Sequence, residues 1–227
     1  YIKGISNGTS DISELGVNII PTPSLAGTTM QIKSTSNNDT AGGSNSRSVI
    51  VEYIEPVSEI LKSIEVALNG TTAVFVPVSI AFISDFYVKD CATLDSVSAG
   101  DITIFNGGTI YNVIKAGGNK SLSLFRYIPK DKDFYLSSME ISGNSKEVTV
   151  RLRANVSDNL TKTTGYIFRT VSISADGANE VTFNPPMVII GGTYLKASIF
   201  STVTDNAGIV SVGLNGWLEN RNPRTLN

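Results

Sequence analysis

The chain contains no histidine. That absence removes Ser-His-Asp and Cys-His nucleophile systems, and with them the commonest zinc and non-haem iron ligand sets. Only one cysteine is present, Cys91. A single thiol forms no intramolecular disulfide, so packing must supply the stability. With Lys89 and Asp90 beside it and no imidazole to activate it, Cys91 reads as a small buried hydrophobe. Charge is also scarce: 17% of residues are charged, and 18 basic against 20 acidic residues leave a net charge of −2. Phosphate backbones call for a basic face, so nucleic acid is not expected as a direct partner. No apolar run approaches the roughly 18 residues of a membrane span. Residues 1–20 lack the basic start and apolar core of a signal peptide. No membrane partner is expected. The opening residue is Tyr1, as in a processed chain or a portion of a longer one.

What is present is β grammar. At 227 residues and 41% hydrophobic content, the chain can bury a sizeable core, and the length suits one sandwich or barrel. Ser, Thr and Asn carry the polar surface. Alternating or β-rich segments occur at Thr29–Lys33, Val49–Ile54, Glu147–Arg153, Thr170–Ser174, Leu195–Ile199 and Val210–Asn215. In the third, Val148, Val150 and Leu152 share one face. Val171, Ile173, Val210 and Val212 join them as expected core residues, because a one-residue slip would reverse every side chain.

Turn signals separate these segments. Asn69-Gly70, between Ile64–Leu68 and Thr72–Val76, is the strongest hairpin signal. Asn106-Gly107-Gly108, Ala116–Asn119, Asp176-Gly177 and Gly191-Gly192 mark further turns. Pro185-Pro186 beside Phe183 reads as an edge strand or crossover. The one helical candidate, Pro56 to Leu68, alternates in its second half and is expected to be strand there, with at most one helical turn before it. Ten to fourteen short strands are expected. The predicted fold is all-β: a jelly-roll-like antiparallel β-sandwich forming one domain over residues 19–227. The polar, glycine-bearing stretch 1–18 is read as an extended N-terminal arm or linker.

Candidate sites are few. The polar loop Ser34–Arg47 offers Asp and Asn oxygens that could hold a cation or sugar. Its carboxylate spacing is not that of an EF-hand, and the ordinary reading is a solvated loop bonding its own backbone. Asp131-Lys132-Asp133 could bind calcium or act as an acid/base pair, but such runs are more often loop tips in water. Trp217, Tyr111, Tyr127, Tyr135, Tyr166 and Tyr194 could build a sugar platform, though core or interface packing is the commoner use. N-x-Ser/Thr triplets begin at Asn7, Asn38, Asn69, Asn119, Asn155 and Asn159 and are uninformative in a chain so rich in these residues. No catalytic, cofactor-binding or metal-ligating residue is assigned, and no cofactor is expected.

A resemblance adds to this. Met30–Ser34, the loop Asn38-Asp39-Thr40-Ala41-Gly42-Gly43, Arg47 and the strand Ser48–Ile54 resemble a recurring pattern in structural proteins of tailed bacteriophages, of the marine or podovirus type. Leu68-Asn69-Gly70-Thr71-Thr72, Gly100–Gly108, Ser121–Pro129 and Phe134–Met139 look similar to later parts of that pattern. The likeness spans residues 15 to 217. Its motifs are turn and strand signatures, so the resemblance implies a virion location and assembly, with no active residue to carry over. The expected function is a non-enzymatic structural component, a capsid decoration or other minor capsid protein. Other virion proteins, the major capsid protein among them, are the expected partners. A homo-oligomer is expected, a trimer by analogy with viral jelly rolls. The alternative is a receptor- or glycan-binding fibre or spike domain, to be distinguished by an exposed aromatic cluster. A carboxylate glycosidase would need two acids about 5–10 Å apart in a groove, and the sequence offers no clear pair.

Overall fold

A computed structural model describes residues 2–3, 8–11, 20–143, 148–155, 166–173, 178–201 and 209–221, with side chains over 20–142, 149–154, 178–198 and 211–221. These residues are all-β and every strand pairing is antiparallel. Among the described residues no helix is long and apolar enough to cross a membrane. The strands are β1 (Ile2–Lys3), β2 (Gly8–Asp11), β3 (Thr28–Ser34), β4 (Ser46–Ile54), β5 (Leu61–Ala67), β6 (Val74–Ile80), β7 (Phe82–Cys91) and β8 (Ile102–Asn106). They continue with β9 (Thr109–Ile114), β10 (Phe125–Tyr127), β11 (Lys132–Gly143), β12 (Val148–Asn155), β13 (Tyr166–Ile173), β14 (Ala178–Ile189), β15 (Tyr194–Ser201) and β16 (Ile209–Asn220).

The chain divides into two compact units where one domain over 19–227 was expected. The physical reason is that it builds two separate cores. Residues 13–123 form one unit, with a four-stranded sheet ordered β6-β3-β8-β9 and a three-stranded sheet ordered β5-β4-β7. Both sheets feed a single apolar cluster: Met30 and Ile32 from β3, Val49 and Val51 from β4, Phe86 from β7, Ile102 and Ile104 from β8. That is a β-sandwich, held by the area its two inner faces remove from water.

The other unit comprises residues 1–12 and 124–227. Its sheets are ordered β1-β16-β11-β14 and β10-β15-β12-β13, with β2 also paired to β15. Leu136, Met139 and Ile141 from β11 meet Val150 and Leu152 from β12 and Leu195 and Ala197 from β15. The described strands carry the coarse expectation of antiparallel sandwiches; the jelly-roll order is a finer statement than these strand orders make.

Several expectations meet their outcome here. Val150, Leu152 and Val212 are buried; the side chains of Val148, Val171, Ile173 and Val210 lie outside the described residues. Pro185 and Pro186 fall on β14, an edge strand, where a missing N–H costs no ladder bond. Residues 56–58 form a turn and β5 begins at Leu61, with no helix. Asn106-Gly107 does close a hairpin, β8 to β9.

One expectation is corrected. Asn69-Gly70 does not close a hairpin: β5 pairs with β4 and β6 with β3, in different sheets. Gly70 has the positive φ the turn chemistry implied, +60°, but its N–H and carbonyl bond Asp39 and Ser34 instead of a facing strand. Of the stretch 1–18, read as an extended arm or linker, the described residues form two short strands. β1 pairs with β16, and β2 pairs Gly8–Asp11 with Ser198–Ser201 of β15. Asp176-Gly177 lies outside the described residues.

Candidate functional site

The loop between β3 and β4 is densely hydrogen-bonded. Asp39 at its centre is fully buried. Its Oδ2 accepts from Ser34 Oγ at 2.6 Å and Gly100 N at 2.9 Å. Its Oδ1 accepts from Ala99 N at 2.9 Å and Ser46 N at 3.2 Å. Its own carbonyl accepts from Gly70 N at 2.8 Å, and the Gly70 carbonyl accepts from Ser34 N at 2.9 Å. Asn37 Oδ1 accepts from Thr71 Oγ1 at 2.8 Å, and Thr35 Oγ1 from Asp101 N at 2.9 Å.

The glycines here are sterically required. A Cβ on Gly100 would lie 2.6 Å from Ser36 N, and one on Gly43 would lie 2.2 Å from the Asn38 carbonyl oxygen. Asn38–Gly43, Leu68–Thr72 and the residues opening at Gly100 thus meet in one hydrogen-bonded knot.

That geometry revises the reading of Ser34–Arg47. Asp39 is neither in water nor aimed at a cation. An ionised carboxylate offers about four lone-pair sites, and its four donors occupy them.

Asp131-Lys132-Asp133 is likewise corrected. Lys132 and Asp133 belong to β11, and Asp133 is buried. Asp133 Oδ1 accepts from Gly191 N at 2.9 Å and lies 3.9 Å from Arg221 Nε. Its work is to hold the Gly191-Gly192 turn. Lys132 Nζ donates to Asn220 Oδ1 at 2.6 Å. Among the described residues no group of three or more His, Cys, Asp or Glu side chains could hold a metal ion. Cys91, at the end of β7, is half-buried and not fully buried as expected. Of the triplet asparagines, Asn7 and Asn159 lie outside the described residues.

The aromatic residues separate into inner and outer sets. Tyr127 and Tyr194 are buried and meet edge-to-face at 4.8 Å, with Phe125 beside Tyr194 at 6.1 Å. Tyr111 packs against the core of its unit, and the Tyr166 side chain lies outside the described residues. Tyr135 and Trp217 remain outside, as cross-strand partners with rings stacked at 5.5 Å and planes 8° apart. Period-2 alternation could mark both as non-core, but their meeting depends on the register of β11 against β16, which no local signal fixes.

Two outer faces in the 13–123 unit contrast. On β5-β4-β7, charges are neutralised in pairs: Lys89–Glu65 at 2.7 Å, Lys120–Asp85 at 2.6 Å, and Lys62–Glu55. The Lys89 hydrogen bond, then that of Ser48, holds Glu65 below the usual glutamate range. Burial, then the charge of Glu52, pushes Tyr87 up. On β6-β3-β8-β9, by contrast, Phe75, Gln31, Phe105 and Ile110 stand in one cross-strand row, and Phe75 is 66% exposed.

Comparison with protein-family models, curated proteins and solved structures finds no match.

Proposed function

We propose that this chain is a non-enzymatic structural component of a bacteriophage virion, a capsid decoration or other minor capsid protein that stabilises the particle through subunit contacts. The observation that carries this reading is the Asp39 knot. Segments that resemble the phage pattern, far apart in sequence, are bonded to one another, and what they share is scaffolding: a saturated buried carboxylate and glycines at close approaches. A motif of that kind supports a scaffolding role, because its polar groups are spent on holding loops together.

The Phe75–Phe105–Ile110 row supports contact with neighbouring subunits, because exposed aromatic area gains most when a partner excludes water from it. The partners proposed are other virion proteins, chiefly the major capsid protein, and a second and third copy of this chain in a trimer.

The test uses particles produced without the chain. Recombinant protein added back should bind them saturably and raise the temperature at which they release their genome. Phe75→Ser should weaken that binding without unfolding the protein. Protein that stays in the unbound fraction at every concentration would refute the proposal.

A further inference from the structure

The outer face of β14-β11-β16 carries an arrangement that the virion reading does not use. Leu136, Met139 and Ile141 of β11 point into the core, so Tyr135, Glu140 and Ser142 face outward, with Ser138 on the same face but buried under its neighbours, across the irregularity between Leu136 and Ser138. The register then sets four cross-strand rows. They are Val188–Tyr135–Trp217, Thr182–Ser138–Asn215, Glu180–Glu140–Gly213 and Ala178–Ser142–Ser211. Trp217 is 45% exposed even with Tyr135 stacked on it, and its Nε1 donates to Glu219 Oε1 at 2.6 Å. In the next row Asn215 Nδ2 donates to Ser138 Oγ at 3.1 Å and to Glu140 Oε1 at 2.7 Å, which fixes the amide. The last two rows line an open groove of about 450 Å³.

Gly213 is the second, independent observation. A Cβ there would meet nothing closer than Glu140 at 3.8 Å, and its φ is not in the left-handed region. The fold therefore does not require glycine, and a glycine inside a strand costs roughly 0.5–1 kcal/mol against alanine. Gly213 lines the groove, and a larger side chain there would take up part of its space.

We propose that this face binds a linear, uncharged oligosaccharide. One sugar lays its C–H face on Trp217, the next is bonded by Asn215 and Glu140 in the row between, and another sits in the groove that Glu140, Glu180, Ser211 and Gly213 line. Trp217 and Gly213 are four residues apart on β16, about 14 Å at strand rise, so the ligand must be longer than one sugar. An exposed ring beside a few oriented polar groups is the chemistry of sugar recognition. Glu140, Glu180 and Glu219 oppose acidic glycans and nucleic acid, and the polar rows oppose lipid. The inference stands whether or not the chain is a virion component.

Trp217 is the only tryptophan, so its emission reports this face alone. The probes are hexamers of β-1,4-glucose, α-1,4-glucose and β-1,4-N-acetylglucosamine, their monomers, and oligogalacturonate. At least one neutral hexamer should shift the emission saturably, its monomer far more weakly. Gly213→Val and Asn215→Ala, which leave the indole in place, should each weaken that binding about tenfold or more, the equivalent of 1.4 kcal/mol. The proposal falls if no neutral hexamer changes the emission up to about 10 mM, well above a millimolar dissociation constant. It falls equally if oligogalacturonate binds as tightly, or if both variants bind like the unaltered protein.

Discussion

Asp39 shows how much a single side chain can organise. Replacing it with alanine leaves the Ser46, Ala99 and Gly100 N–H groups and the Ser34 hydroxyl without their acceptor. A buried donor left unpaired costs about 1–3 kcal/mol, so Asp39→Ala should lose about 3 kcal/mol or more in urea unfolding, and Asp39→Asn less. A loss under about 1 kcal/mol would mean the knot is not what holds these loops. Val57 makes the opposite point. It sits at φ +76° and is 97% exposed at the β4–β5 tip, with Ser58 N donating to the Pro56 carbonyl across it. That is a γ-turn centred on a β-branched residue in a strained conformation. Val57→Gly should therefore stabilise by about 1 kcal/mol, read from the shift in urea midpoint; a loss of stability would contradict the assigned strain. Neither residue was legible beforehand. Two of the four donors on Asp39 come from about 60 positions later, and in sequence an aspartate among serines and asparagines looks solvated.

At the level of elements, what was legible was what local chemistry dictates, and what was hidden was pairing. Proline lacks a donor wherever it sits, so Pro185-Pro186 announced an edge strand or a crossover, and the edge strand is what forms. The glycine after Asn69 announced a positive φ. Which strand lies beside which depends on distant residues, and there Asn69-Gly70 misled: Gly70 satisfies Asp39 and Ser34 rather than closing a ladder. The outer face of β14-β11-β16 was hidden for the same reason. Trp217 and Tyr135 are 82 positions apart and meet only through register. The N-terminal strand gives the test at this scale. β2 and β10 pair with successive parts of β15, at Ser198–Ser201 and Tyr194–Lys196. Removing residues 1–12 strips β2 from that strand and leaves backbone groups unpaired. The truncation should cost about 2–4 kcal/mol at roughly 1 kcal/mol per lost hydrogen bond. It should also raise light scattering as an uncovered edge recruits other chains. An unchanged melting temperature and a clear solution would show that β2 is dispensable.

At the scale of the whole molecule, one sandwich is continuous in sequence and the other is made from both ends of the chain. Length alone pointed to a single sandwich because nothing local records where one core closes and another begins. Since residues 13–123 have their own two sheets and apolar cluster, that fragment should fold alone, with dispersed amide resonances and a cooperative transition; a disordered spectrum would contradict the division.

The response to pH follows from the charge pairs. Glu55 is held low by hydrogen bonds from Lys62 and Ser58, and Glu65 by those from Lys89 and Ser48. Burial of Asp101 would raise its pKa, but bonds from Lys115 and the Ala116 N–H outweigh it. These carboxyls titrate lower folded than unfolded. Their contribution is present above the ordinary values of 4.5 and 3.8 and is lost as acid carries the pH down through the folded values. At the other end Tyr87 and Lys89 are raised above 10.0 and 10.5, so stability also falls as alkali is added beyond those values. Melting temperature should decline below about pH 4.5 and above about pH 10; a rise between pH 4.5 and 3 would refute the assigned pairs.

The central proposal, a structural place in a phage particle, is tested most directly by counting the chain in particles. Virions from a lysate in which the chain is expressed from its own genome are purified through two density gradients, washed in high salt, and quantified by peptide mass spectrometry against the major capsid protein. The account predicts the chain in the particle band at a fixed ratio to that protein, constant between preparations and in multiples of three if the trimer holds. Finding it only in the soluble fraction, or in the band at a ratio that drifts towards zero with washing, would contradict a structural role.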